Sequence, residues 1–259
     1  MKAALLILAM VLLVGCALEP KVVPNGPEPE AAFQFDPNDK NHVIIEAAIR
    51  KATNKPEGEL TKQDFEKVKS LSFRGKQLTD VSALEGLTLL TKLDLRSNKL
   101  TDLKGLEGLK QLKELSLQNG NQLTDVSALA ELTKLEWLNL YGNQLTDVSP
   151  LTGLKQLKTL NLRSNKITVD QLKHLARPAK LESLDLRENK LTDISPLGEL
   201  KQLETLLLSG NRLTDLSPLS GLKKLGYLHI YNVPNLTKTE IAKIQKALPK
   251  CKIEHDAKK

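Results

Sequence analysis

A period constrains this chain more than any other feature. Six segments align: LDLRSNKLTDL from Leu93, LSLQNGNQLTDV from Leu115, LNLYGNQLTDV from Leu138, LNLRSNKIT from Leu160, LDLRENKLTDI from Leu184 and LLLSGNRLTDL from Leu206. Each carries an asparagine at the same place: Asn98, Asn121, Asn143, Asn165, Asn189 and Asn211. Successive anchors stand 23, 22, 22, 24 and 22 residues apart. A unit this short cannot bury its own apolar side chains, so a fixed period implies stacked units that share one core. Leucine supplies 54 of the 259 residues and aromatic residues only 3%, as expected when one packing solution is used many times.

Within a unit, Leu93 and Leu95 alternate with Asp94 and Arg96. Period two means a short strand, leucines inward and polar residues outward. Asn98 follows where the chain turns, and its amide can donate and accept at once, so the six asparagines are expected to form a structural ladder. Thr101-Asp102 then opens a helical or 3₁₀ turn with Asp as N-cap. The Ser-Pro pairs at 149–150, 195–196 and 217–218 suit the first turn of such segments.

This pattern resembles the leucine-rich repeat, in the 22-residue form of bacterial internalin-like proteins. Degenerate repeats flank the six: LSFRGKQLTDV from Leu71, with Lys76 at the asparagine position, and LHIYNVPNLT from Leu228. The resemblance implies an α/β repeat solenoid of about eight repeats over 69–236. It would form a horseshoe or arc with a parallel β-sheet on its concave face. Caps are expected at both ends. In 38–68, Val43, Ile44, Ala47 and Ala48 have helical spacing, and Thr61 opens a second helix with Asp64 in a capping box and Phe65 and Val68 inward. All four Phe lie before or within the first repeat, similar to the helical N-terminal cap of internalin-like proteins. In 237–259, Ile241, Ile244, Ala247 and Leu248 share one helical face, and Cys251 and Ile253 then alternate with lysines like a last edge strand. Cys251 reads as a core thiol. A longer helix is expected over Val169–Lys180, after Asn165.

The first residues read as an address. Lys2 precedes an unbroken apolar stretch from Ala3 to Val14, which fits a signal h-region and is too short to span a bilayer. Leu13-Val14-Gly15-Cys16 resembles a bacterial lipobox, implying a signal peptide over 1–15 and lipidation of Cys16. Ala17 rather than Asp follows the cysteine, which in Gram-negative lipoproteins implies the outer membrane. Residues 16–37 hold Pro20, Pro24, Pro27, Pro29 and Pro37 and read as an extended tether. The expected location is therefore exported and lipid-anchored.

No enzyme signature appears: there is no GxSxG, Walker loop, HExxH or strand-borne GxGxxG. The four His lie far apart, no Cys–His pair or Ser–His–Asp arrangement is apparent on adjacent repeats, and two Cys make no zinc site. Neither catalysis, a metal nor a cofactor is expected. An unrecognised enzyme would need a concave polar cluster such as Asp185, Arg187 and His229.

The informative surface is the outward side of the strands. Its 32 slots on eight strands include the only Trp, all three Tyr and four of seven Arg, but one Lys, Lys92. Protein-binding surfaces are enriched in Tyr, Trp and Arg and depleted in Lys. Strand propensity and copying between repeats explain Arg96, Arg163 and Arg187 equally well. They do not explain Trp137 with Tyr141 on one strand and Tyr227 with Tyr231 on another. These four aromatics, the three arginines and outward-pointing His229, read as solvated, are the candidate partner contacts. The slots carry five basic and four acidic residues, so little of the formal +7 falls there. This disfavours nucleic acid. Eight strands span roughly 34 Å, the scale of a protein partner. The expectation is a monomer that binds an envelope or host protein, the internalin resemblance implying an adhesin. No immunoglobulin-like module or LPxTG motif accompanies the repeats. The alternative is a structural or glycan-binding envelope component that uses the lysine-rich outer face.

Overall fold

The computed structural model describes residues 33–176 and 180–258. The expected signal peptide, the Cys16 lipidation site and most of the tether lie outside the described residues. Nine strands form one parallel sheet in chain order: β1 (Ser70–Ser72), β2 (Lys92–Asp94), β3 (Glu114–Ser116), β4 (Trp137–Asn139), β5 (Thr159–Asn161), β6 (Ser183–Asp185), β7 (Thr205–Leu207), β8 (Tyr227–Ile230) and β9 (Lys252–His255). The register places Leu71, Leu93, Leu115, Leu138, Leu160, Leu184, Leu206 and Leu228 in one inward column that ends on Ile253. Two residues on, Leu95, Leu117, Leu140, Leu162, Leu186 and Leu208 form a second, fully buried column. This is a leucine-rich-repeat solenoid whose core runs the length of the stack.

Each asparagine of the ladder is buried and bridges two repeats. Oδ1 of Asn98, Asn121, Asn143, Asn165, Asn189 and Asn211 accepts the backbone N–H of Leu78, Leu100, Leu123, Leu145, Ile167 and Leu191 in turn. Nδ2 donates both to a carbonyl of its own repeat and to one of the repeat before, as Asn143 does to Leu140 and Leu117. These carbonyls and amides belong to turns, where no strand or helix can pair them, so the side chain replaces secondary structure.

The return path is made of 3₁₀ segments at Ser82–Leu84, Ser127–Leu129, Ser149–Gly153, Ser195–Glu199 and Ser217–Gly221, the last three with Pro in the first turn. The Asp of each TD pair is not the N-cap itself. It sits one residue earlier, and its carboxylate accepts the backbone N–H two residues on, as Asp147 does from Ser149. The repeat containing Thr101-Asp102 makes turns only. There Gly105 has φ +95, and an added Cβ would stand 2.6 Å from Ser82 Cα, so the chain takes a tighter route that only glycine allows.

Helix α1 (Lys40–Thr53) and helix α2 (Lys62–Lys67) close the N-terminal end. The face of α1 is rotated from the expected one: Ile45 and Ile49 are buried and Ile44 and Ala48 pack partly buried against the core, while Val43 is 46% exposed and Ala47 is exposed. The β-branched pair four residues apart offers the larger apolar surface, and it turns the helix away from Val43. The capping box of α2 forms, and Lys55 and Lys67 hold the Asp64 carboxyl well below the usual carboxylate range. Phe33, Phe35, His42 and Phe65 pack edge to face over this end. Helix α3 is shorter than expected, Val169–Leu175, ending at Ala176. At the other end α4 (Lys238–Ala247) covers the core with Ile241 and Ile244, and β9 extends the sheet. Cys251 is buried, and burial pushes its thiol pKa up, as suits a core residue.

Candidate binding surface

The outward positions of the strands form three columns. Strand pairing aligns Trp137, Thr159, Ser183, Thr205 and Tyr227 in the first, and Asn139, Asn161, Asp185, Leu207 and His229 in the second. The ladder runs on past the assigned strand ends. Gly142, Ser164, Glu188 and Gly210 donate to the carbonyls of Arg163, Arg187, Ser209 and Tyr231, which sets Tyr141, Arg163, Arg187, Ser209 and Tyr231 in the third.

Among the described residues the buried core contains no Trp and no Tyr. Trp137 is half-buried and lines a hollow of about 670 Å³ on this face, with residues of the strands on both sides of it. Four basic and four acidic residues line the hollow: Lys92 pairs with Glu114, Arg96 with Asp94, both Lys113 and Lys158 with Glu136, and Glu182 is the fourth acid. The Lys158 ammonium, 2.9 Å from Glu136, holds that carboxyl below its ordinary range.

Tyr141, Arg163 and Arg187 stand on neighbouring strands. The Arg163 guanidinium lies 5.1 Å from the centre of the Tyr141 ring and pairs with Glu188. Its Nε is shut off from solvent without a hydrogen-bond acceptor. Ser164, then Arg163, lower the pKa of Glu188. Arg187 is tied to Asp185 on its own strand at 2.6 Å, and that bond raises the guanidinium pKa. Arg96 is held by Asp94 in the same way, at 2.7 Å. Burial opposes ionisation of Asp94, but the guanidinium and backbone N–H of Arg96, with Ser72, outweigh it. Arg96 and Arg187 are therefore pre-oriented by partners two residues away, and Arg163 by Glu188 on the next strand, rather than free in solvent. Arg96 is set apart from the other two by Gln118 and Tyr141.

On β8, Tyr227, His229 and Tyr231 form a ribbon of rings, with centroids 6.2 and 4.8 Å apart. Tyr231 is 39% exposed, the most exposed aromatic among the described residues. The Tyr227 hydroxyl donates to Glu254 at 2.7 Å, and that bond raises its pKa. His229 is half-buried rather than solvated: its Nδ1 lies 2.6 Å from Ser209 Oγ on the adjacent strand. Ser209 Oγ also accepts the Tyr231 N–H, so this one hydroxyl ties the His229 ring to the backbone beside it and fixes the ring between the tyrosines. Ser209 and Glu188 are among the 32 outward slots without being read as contacts, and Glu254 lies on β9, outside those eight strands. The 22-residue register places Ser209 one repeat before His229 and one outward step along. Among the described residues no group of three or more His, Cys, Asp or Glu is placed to hold a metal ion.

The family model described as "Leucine Rich repeats (2 copies)" matches residues 88–131, 133–176 and 201–244, and "Leucine rich repeat" matches 155–213. The chain belongs to the leucine-rich-repeat family. Among solved structures, this leucine-rich-repeat protein is similar to internalin C2 of Listeria monocytogenes, with 31% identity, TM-score 0.75 and 81% of this chain matched to 91% of that one. A leucine-rich-repeat protein of Leptospira interrogans is 34% identical with TM-score 0.68, over 74% of this chain and 50% of that one. A second Listeria monocytogenes internalin, internalin F, is 27% identical with TM-score 0.59, over 82% of this chain and 74% of that one. No curated protein matches the sequence.

Proposed function

We propose that this leucine-rich-repeat protein is a non-catalytic binder that acts as a monomer and recognises another protein with the outward face of its sheet. The observation that carries this reading is the placement of aromatics. The core is filled by leucine and a few Phe at the N-terminal cap, while Trp137, Tyr141, Tyr227 and Tyr231 all lie on the one broad open face. Tyr, Trp and Arg held rigidly by neighbours are the residues that dominate binding energy in protein interfaces. Similarity to internalins supports the same reading. The face is close to neutral, since its ionic groups pair with one another, which favours a protein surface over a polyanion. The lysine-rich outer face is the weaker candidate: Lys134, Lys180 and Lys224 each donate to a glutamine of the preceding repeat and so serve the stack itself.

The lipobox resemblance at 13–16 supports export and a lipid anchor on Cys16, with an envelope or host protein as partner. Metabolic labelling with an alkyne fatty acid tests the anchor: wild type takes up label and Cys16→Ser does not. Equal labelling of both would contradict it. The binding reading is tested by affinity capture from envelope extracts, wild type against Trp137→Ala/Tyr141→Ala. At least one protein recovered by wild type is expected to be lost. Equal recovery of every captured protein sinks the proposal.

A further inference from the structure

Among the described residues that line the hollow on the sheet face, Trp137 is the only ring and Leu93 the only other apolar one. Polar groups stand on every side of the indole. In its own column Glu114 lies on one strand beside it and Thr159 on the other, with Lys92 beyond Glu114. Just before the strands, backbone bonds align Lys113, Glu136, Lys158 and Glu182 in a row whose charge alternates at the strand spacing of about 4.8 Å. Asp94, Arg96 and Ser116 complete the lining. The hollow is thus a polar basin with one aromatic surface in it. Its volume of about 670 Å³ falls within the range of about 300–1,000 Å³ of small-molecule sites.

The side chains select an occupant by what each candidate would cost them. Four basic and four acidic residues leave the lining without net charge, so a charged ligand is attracted by one set and repelled by the other. An apolar group pressed onto Trp137 would strip water from the Lys92–Glu114 and Lys113–Glu136–Lys158 pairs and return no hydrogen bond for it. Dehydrated ion pairs do not recover that loss. A hydroxyl group donates and accepts at once. A ring that carries several hydroxyls can give a hydrogen bond to a carboxylate and take one from the neighbouring ammonium, so every ion pair keeps its partner and only water is displaced. The alternating row offers this donor and acceptor pattern on both sides of Trp137. The C–H face of such a ring covers the indole with apolar contact.

We infer that the hollow around Trp137 binds a neutral saccharide, one ring lying on the indole and its hydroxyls bridging the ion pairs beside it. This goes beyond recognition of a protein surface. The sugar is carried either on a protein partner or on a free polysaccharide.

The test presents the whole protein to an array of neutral hexose and N-acetylhexosamine oligosaccharides printed beside sulfated and sialylated ones. At least one neutral oligosaccharide is expected to retain wild type, and titration with it should shift the emission of Trp137 saturably. Trp137→Ala should cost at least tenfold in affinity. So should Thr159→Tyr, which fills the hollow from the next strand and leaves the indole in place. Lys104→Glu, at an exposed turn away from the sheet, should change nothing. Far-ultraviolet circular dichroism confirms that each variant is folded. Retention by the sulfated or sialylated glycans alone, retention indifferent to Trp137→Ala and Thr159→Tyr, or no retention at all overturns the saccharide site. Capture from envelope extracts then reads the source. A protein recovered by wild type and lost after enzymatic deglycosylation of the extract carries the sugar, whereas binding to a protein-free polysaccharide fraction assigns it to a free polymer. If no sugar binds, a protein recovered equally before and after deglycosylation but lost on Trp137→Ala/Tyr141→Ala overturns the saccharide site and leaves the protein-binding reading intact.

Discussion

Replacing Asn143 with Ala measures what the asparagine ladder contributes, and the geometry sets the size of the effect. Its side chain makes three bonds: from Leu123 N at 3.1 Å, and to Leu117 O at 3.2 Å and Leu140 O at 2.9 Å. The two carbonyls are shared. Leu117 O also receives Asn121, and Leu140 O also receives Asn165, so each keeps a donor in the variant. Only the Leu123 N–H is orphaned, which costs about 1–3 kcal/mol. Asn211 is different. Its loss orphans the Leu191 N–H, and Leu208 O has no following asparagine to take over. Two orphans bring the expected cost of Asn211→Ala to about 2–6 kcal/mol. Equilibrium urea unfolding followed by circular dichroism compares the two, read at unchanged m-value. If Asn143→Ala costs as much as Asn211→Ala, or both fall within about 0.5 kcal/mol of wild type, the shared-carbonyl reasoning is wrong.

Gly105→Ala should cost at least about 1–3 kcal/mol from its positive φ alone, with more from the contact with Ser82 Cα, while Gly108→Ala, whose Cβ would meet only Glu85 O at 3.5 Å, should be nearly neutral. Thermal unfolding of the pair checks this, and equal melting temperatures would refute it. The folded-state pKa of Asp64 is depressed, so its ion pairs stabilise the protein at neutral pH, and that contribution is lost as pH falls below the ordinary value of 3.8. Asp64→Asn should therefore be less stable than wild type at pH 7, and the gap should narrow toward pH 2. A gap independent of pH would contradict the assignment. Cys251, buried with a raised thiol pKa, should react with a thiol reagent at pH 8 only after unfolding, measured in a Cys16→Ser background; fast labelling of the folded protein would contradict its core placement.

The period made most of the fold legible. Once the asparagines are aligned, strand positions, inward leucines and outward columns follow, because each unit repeats the same geometry. What the period does not determine was read less well. In α1, helical spacing picked out Ile44 and Ala48, which pack against the core, and Val43 and Ala47, which do not, and it missed Ile45 and Ile49, since packing against one particular repeat decides between adjacent stripes. Helix α3 stops at Leu175, short of the reading that extended to Lys180. At the site, the outward placement of Trp137, Tyr141, Tyr227 and Tyr231 follows from strand alternation alone. The ties that orient them do not. Arg163 reaches across a strand to Tyr141 and Glu188, and Ser209 reaches across to His229. Such contacts depend on rotamers and on the spacing between columns. The Asp94–Arg96 and Asp185–Arg187 pairs, two residues apart on one face, were the exception: a period-two reading contains them.

Trp137 is the only tryptophan in the chain, and it lines a hollow on the proposed binding face. Its fluorescence reports on that face without any label. On titration with a partner isolated by affinity capture, made tryptophan-free or matched by a tryptophan-free control, its emission should shift to the blue and saturate with the binding isotherm, as a ring desolvated at the centre of an interface does. Saturable binding that leaves the emission of Trp137 unchanged would contradict recognition through this face.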